Sequence, residues 1–195
     1  ELDGQNRSVY SIPTGGSNGT GALGYAACML ELIEQSKALG FELTDVAHAT
    51  ASAGTQAGLL AGLMLAGKQH EIRVHGINVS ESGADLPVFV AQIGDIADEA
   101  LRLLGVDQTL DRDAILVDSS YLGEGYGLPT AETFAALKLL AGSEGLLLDP
   151  VYSGKAMSGF IGKIRAGEFS DVENLVFIHT GGTASLPVYG EAILA

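Results

Sequence analysis

The sequence has one cysteine, no tryptophan and few aromatic residues of any kind, 6% of the chain. A single cysteine, Cys28, closes no internal disulfide and builds no thiolate metal cluster, so a reducing cytoplasm is the expected location. Cys28 falls within a predicted helix and reads as a small buried hydrophobe. The four histidines, His48, His70, His75 and His179, lack metal-ligand spacing, and no HExxH, paired-carboxylate or GxSxG motif is present. No apolar run reaches the ~18 residues a membrane span needs, and no secretory signal is visible. Basic residues are scarce: 10 Lys and Arg against 24 Asp and Glu, for a net charge of −14. A nucleic-acid backbone calls for clustered cations, which excludes it as an expected partner.

Apolar residues and glycine, in contrast, are plentiful, at 47% and 27 positions of 195. That is ample surface for a folded core. The apolar runs Asp45–Ala51, Arg73–Val79, Ile115–Asp118 and Leu175–His179 do not alternate, as expected of buried parallel strands. A further strand is predicted over Ser8–Ile12. Between the runs, helices are predicted over Ala22–Leu39, Thr55–Ala66, Gly83–Gly105, Thr130–Ala141 and Ser153–Arg165, with Thr130 as an N-cap and a short helix at Ser185–Tyr189. Alternating strands and helices predict an α/β fold: an open, mainly parallel sheet with helices on both faces.

Ligands of such sheets bind where the strands end, and four glycine-rich loops lie at such places. They are Thr14-Gly15-Gly16-Ser17, Ser52-Ala53-Gly54-Thr55, Gly125-Tyr126-Gly127 and His179-Thr180-Gly181-Gly182. In the second, small residues let backbone N–H groups approach an anion, two hydroxyls add donors, and a helix starts at the loop with its positive end. With no lysine in the loop, a compact phosphate monoester fits better than a triphosphate; an ordinary capped turn is the other interpretation. Gly19-Thr20-Gly21-Ala22-Leu23-Gly24 matches a dinucleotide fingerprint, with Glu42 as a ribose acid, or is simply a glycine-rich helix entry. Tyr126 and Tyr152 are packing residues or, beside a phosphate ligand, ring-stacking and proton-moving ones. His179 ends a strand, as a site residue or a satisfied strand histidine.

Five motifs stand in order: Ile12-Pro13-Thr14-Gly15-Gly16-Ser17 with Gly24-Tyr25; Ala51-Ser52-Ala53-Gly54-Thr55-Gln56-Ala57-Gly58; Gly125-Tyr126-Gly127-Leu128-Pro129; Leu148-Asp149-Pro150-Val151-Tyr152-Ser153-Gly154-Lys155-Ala156-Met157; and Phe177-Ile178-His179-Thr180-Gly181-Gly182. Together they resemble the D-cysteine desulfhydrase and aminocyclopropane-carboxylate (ACC) deaminase family of pyridoxal-phosphate enzymes. The resemblance covers nearly the whole chain. It implies a tryptophan-synthase-β-like fold of pyridoxal-phosphate type II, incomplete at the N-terminus. Residues 1–40 would close the smaller domain and 41–195 would form part of the larger, cofactor-binding one.

The resemblance also implies roles. Ser52, Ala53, Gly54 and Thr55 would hold the cofactor phosphate, Tyr152 would lie by the ring, Ser153 would face the pyridine nitrogen, and Thr180 and Gly181 would border the ring. Gly15 and Gly16 would line the substrate pocket. Tyr126 and Tyr152 are the implied catalytic residues. Ser153 stands where the deaminase branch has Glu, so the implied reaction is α,β-elimination from a small cysteine-like amino acid, D-cysteine or L-cysteate. The alternatives are ACC deamination and a non-catalytic phosphate binder. The family's cofactor-linked lysine lies upstream, in an asparagine-lysine motif. None of Lys37, Lys68, Lys138, Lys155 and Lys163 stands in that motif, and Lys155 reads as a solvated charge at a helix start. The implied enzyme is a homodimer that needs its own N-terminal segment for that lysine, and this chain alone is expected to be inactive.

Overall fold

The computed structural model describes residues 9–80 and 85–194. Among these, β1 (Asp45–Thr50), β2 (Arg73–Asn78), β3 (Leu116–Asp118) and β4 (Leu175–Ile178) form one sheet in the order β3-β2-β1-β4. Every pairing is parallel, with Val46 opposite Val74 on one side and Val176 on the other. All six residues of β1 are buried. A central strand covered on both faces has no solvent side to mark with polar residues, so its sequence does not alternate. Its two faces still diverge with a period of two: Val46 packs with Val74 into one core, Ala49 with Ile77 into another.

One face carries α1 (Gly19–Ala38), α2 (Gly54–Leu65) and α3 (Leu86–Leu103). The other carries α5 (Ser153–Arg165) against β1 and β2, with α4 (Ala131–Glu144) packed on α5. A 3-10 stretch over Thr183–Tyr189 leads into α6 (Gly190–Leu194). The expected open parallel sheet with helices on both faces is the observed architecture. α1 and α2 approach closely because Gly58 and Gly62 of α2 face α1: a Cβ at Gly58 would lie 2.3 Å from the Ala22 carbonyl oxygen, and one at Gly62 2.6 Å from that of Ala26.

Three of the departures from expectation have a plain local cause. Val9–Ile12 forms no strand, and Ser8 lies outside the described residues. Val9, Tyr10 and Ile12 are 53%, 73% and 73% exposed; a β-rich run with no strand beside it has no ladder to join. α1 starts at Gly19 rather than Ala22, because the Asn18 side chain accepts from the Gly21 N–H at 2.8 Å. α3 starts at Leu86, capped by Asp85, and takes Pro87 into its first turn, where no N–H is missed; the expected start at Gly83 lies outside the described residues. At α4 the expected cap is present: Thr130 Oγ1 accepts from the Thr133 N–H, and Thr133 Oγ1 accepts from the Thr130 N–H, each at 3.2 Å.

Candidate active site

Because β1 and β4 are parallel neighbours, both end at the same edge of the sheet, and the loops that follow them meet there. Between these loops lies a cavity of about 300 Å³, within the range of small-ligand sites. Its walls are Ala49–Ala53 and Thr55 from the end of β1 and the turn that follows it, Thr180–Gly182 after β4, Gly15 and Tyr25 from the first glycine loop and α1, and Tyr152. No charged side chain among the described residues lines it.

The loop Ser52–Thr55 is built for close approach. Ala53, with φ of 75°, is the one non-glycine residue among those described in the left-handed region, a conformation that costs roughly 1–2 kcal/mol. It is 1% exposed, so packing holds it there. No side chain caps α2, which leaves the N–H groups of its first turn free at the positive end of a 12-residue helix. The first glycine loop buttresses this arrangement. Ser17 Oγ donates to Ser52 Oγ at 2.9 Å. A Cβ on Gly15 would lie 2.3 Å from Ser52 Oγ, and one on Gly54 would lie 2.9 Å from Ser17 Oγ. Backbone donors, two hydroxyls, a helix N-terminus and no neighbouring carboxylate suit a phosphate group.

Tyr152 stands immediately ahead of α5, and its hydroxyl contacts that of Tyr126. The two rings meet edge to face, 5.6 Å apart at 68°. Tyr126 is 46% exposed, at the open side of the pair. Burial, then the Tyr126 hydroxyl, then the charge of Asp149 push the Tyr152 phenol up to about 12, so at neutral pH it keeps its proton. Ser153 is fully buried and lies beneath the cavity wall rather than on it. Its Oγ donates to Asp149 Oδ1 at 2.6 Å, accepts from the Asp149 N–H at 2.9 Å, and lies 3.3 Å from the Gly181 carbonyl. The nine residues anticipated for the site, Ser52, Ala53, Gly54, Thr55, Tyr126, Tyr152, Ser153, Thr180 and Gly181, thus lie in or against one cavity or touch a residue that lines it.

Two residues escaped the sequence reading. Asp149 is fully buried, and its carboxylate accepts the N–H groups of Val151, Tyr152 and Ser153 at 2.8, 2.8 and 2.7 Å. It also abuts Gly182, where a Cβ would lie 2.5 Å from Asp149 Cγ. An Asp four residues before a helix is the signal that could have pointed to it. Lys155 is the second. Far from being solvated, it is 0% exposed, and its ammonium donates to the carbonyls of Leu122, at 2.7 Å, and Gly125. The other lysines are surface charges or ion-paired, Lys68 with Glu71 and Lys163 with Asp118 and Glu168. None of the five lines the cavity.

Gly19–Gly24 is a helix entry. The Glu99 carboxylate accepts the Gly19 N–H at 2.8 Å, so the position a pyrophosphate would take already holds a negative charge. Cys28 is half-buried rather than buried, and burial followed by Glu31 raises its thiol. His179 is a satisfied residue. Its Nδ1 accepts from the Gly181 N–H at 3.1 Å, so the proton sits on Nε2, which donates to the Leu147 carbonyl at 2.8 Å.

Fold and cavity together define an α/β protein with a cavity suited to a phosphate-bearing ligand at the carboxyl ends of a parallel sheet, beside a helix N-terminus and a tyrosine pair. Over residues 1–181 the sequence matches the pyridoxal-phosphate dependent enzyme family, and the chain belongs to that family, whose cofactor the cavity fits. It is 43% identical over 189 residues to a D-cysteine desulfhydrase of Klebsiella pneumoniae and 41% identical to one of Serratia proteamaculans. These alignments cover 96% of this chain but 55% and 54% of the relatives, so the chain spans about half the length of the curated relatives it matches. The crystal structure of an ACC deaminase homologue superposes with a TM-score of 0.85 at 34% identity, covering 99% of this chain and 55% of that one. A hydrogen sulfide-producing enzyme from Fusobacterium nucleatum shares the fold at a TM-score of 0.54 and 16% identity, covering 93% and 56%. Among the described residues, no helix is long and apolar enough to cross a membrane.

Proposed function

We propose that this chain is the pyridoxal-phosphate-binding part of a carbon–sulfur lyase that eliminates sulfide from D-cysteine, giving pyruvate and ammonia with uptake of one water. L-Cysteate, which would release sulfite, is a further substrate of the same class. The supporting observation is the uncapped, strained loop Ser52–Thr55 opening into the same cavity as Tyr152. Bound pyridoxal phosphate supplies an electron sink for the α-carbon of an amino acid. The hydroxyls of Ser52 and Thr55 and the N–H groups at the start of α2 hold its phosphate, and the small side of Ala53 and Gly54 leaves room for it. Tyr152, Thr180 and Gly181 border the ring, and Ser153, whose hydroxyl rests on Asp149 beneath the cavity wall, serves the pyridine nitrogen once that hydroxyl turns toward the cavity. Tyr152, protonated at neutral pH, and Tyr126 orient the substrate and move a proton to or from it.

The kinship with an ACC deaminase homologue favours deamination as a second reading. Ser153 favours elimination, because a hydroxyl carries no charge to strengthen the sink. In this proposal residues 1–40 close a smaller domain, 41–195 form the cofactor domain, and the enzyme is a cytoplasmic homodimer. The cofactor-linked lysine comes from a segment outside this chain, which alone is inactive; the support is that no lysine here lines the cavity.

Binding can be measured with pyridoxamine phosphate, which has no aldehyde to react with surface lysines. The chain should bind it at least tenfold more tightly than pyridoxamine, and Ser52→Ala with Thr55→Ala should remove that difference. Equal binding of both compounds would sink the phosphate-loop assignment. The full-length gene product should release pyruvate from D-cysteine, and this chain should not. Pyruvate released by this chain alone would overturn the assignment of the lysine to another segment.

A further inference from the structure

We infer that Lys155 is a positioning residue: by gripping the glycine loop Gly123–Pro129 through two backbone carbonyls, it fixes Tyr126 against Tyr152. The inference rests on the proposal that this tyrosine pair belongs to the working site. Helix position and burial both disfavour a lysine at this place. It lies in the first turn of α5, where the positive end of the helix disfavours a cation, and it is fully buried, where an ammonium is costly unless its donors are satisfied. A methionine would fill the same space without either penalty. What the ammonium gains is the loop: it donates to the carbonyls of Leu122, at 2.7 Å, and of Gly125.

Those two carbonyls bracket the residues just before Tyr126. The loop has little stiffness of its own, with Gly123 and Gly127 in the left-handed region at φ of 70° and 73°. On its far side the Tyr189 hydroxyl donates to the Gly127 carbonyl at 3.0 Å, and Thr130 caps α4. Lys155 is the anchor on the near side. It stands three residues after Tyr152, and positions three apart share a helix face. One helical turn therefore carries both the second tyrosine and the grip on the first. The distance between the two phenols is set by that turn rather than by the wandering of a glycine loop.

The test is tyrosine NMR on this 20.0 kDa chain, which needs neither cofactor nor turnover. In the native chain a ring-to-ring cross-peak between Tyr126 and Tyr152 is expected, together with the late titration of Tyr152. Lys155→Met should lose the cross-peak and move the Tyr152 titration down toward the ordinary phenol value. Tyr126→Phe should move it in the same direction, and the double variant should add nothing to Tyr126→Phe alone. A folded Lys155→Met chain that keeps cross-peak and titration overturns the inference, as does a double variant whose shift is the sum of the two. If Lys155→Met fails to fold, the native chain labelled with nitrogen-15 in lysine and carbon-13 at the leucine and glycine carbonyls supplies the measurement. The Lys155 ammonium should exchange slowly and show coupling across hydrogen bonds to the Leu122 and Gly125 carbonyl carbons; without that coupling the inference falls. Failure of the underlying proposal has a different signature: Tyr126→Phe and Tyr152→Phe chains that bind pyridoxamine phosphate as tightly as the native one.

Discussion

Replacing Asp149 with alanine should be among the most damaging single changes in the chain, although Asp149 does not line the cavity. The carboxylate is 0% exposed and accepts three backbone N–H groups and the Ser153 hydroxyl. Loss of an ordinary exposed helix cap costs about 1 kcal/mol. Here the donors left behind are buried, and each buried unsatisfied group costs about 1–3 kcal/mol. A water entering the space left by the carboxylate would satisfy some of them, so the sum is not additive. The expected loss is about 3–5 kcal/mol, the size seen when one partner of a buried charged network is removed. That is a large share of the roughly 5–15 kcal/mol that holds a domain together. Asp149→Asn keeps one acceptor oxygen but turns an NH2 group toward a backbone donor, so it should fall between the two, at about 2 kcal/mol. The assay is urea unfolding followed by far-ultraviolet circular dichroism, with the denaturant slope checked for constancy. An alanine variant within about 0.5 kcal/mol of the native chain, the level of an ordinary surface change, would refute the reasoning and remove Asp149 as the organiser of Tyr152 and Ser153.

His48 is fully buried, and burial pushes it down to about 4 from an ordinary 6.5. The unfolded chain therefore takes up this proton first, so stability is full above pH 6.5 and declines as pH falls toward 4, by up to about 3 kcal/mol. Urea midpoints between pH 7 and 4.5 should fall in the native chain and flatten in His48→Gln; parallel slopes in the two would remove His48 as the cause. Gly58→Ala forces a methyl to within 2.3 Å of the Ala22 carbonyl oxygen, and should destabilise by about 1–3 kcal/mol; an unchanged thermal midpoint would mean that α1 and α2 are not held this close. In the full-length enzyme, Ser153→Glu should weaken pyruvate release from D-cysteine and alter the cofactor's absorption. Unchanged activity and spectrum would remove Ser153 from the pyridine nitrogen.

The parallel sheet was legible because Val46–Thr50 and Val74–Asn78 do not alternate, and because glycines that end helices in the left-handed region, such as Gly40, Gly67 and Gly105, punctuate the chain. The tight loop Ser52–Thr55 ahead of α2 was legible for a similar reason: small residues, hydroxyls and a following helix are local features. Lys155 and Asp149 were not, because their partners are set by tertiary folding. Sequence rules place a lysine at a helix start in water, and only the return of the Gly123–Pro129 loop over α5 supplies the carbonyls that make its burial tolerable. Val9–Ile12 failed in the opposite direction: β propensity was present, but a strand exists only beside another strand.

Tyr152, Ser153 and Lys155 lie within four consecutive residues at the start of α5. An α-helix turns by about 100° per residue. Inserting or deleting one residue between Lys155 and the rest of α5 would therefore rotate Tyr152 and the grip on the Gly123–Pro129 loop away from their partners together. Surface connections in this fold can change length while the sheet stays intact, but the phase of this turn cannot drift. In any transplant or redesign of the cavity, Asp149 through Met157 is the segment whose spacing must be carried over whole.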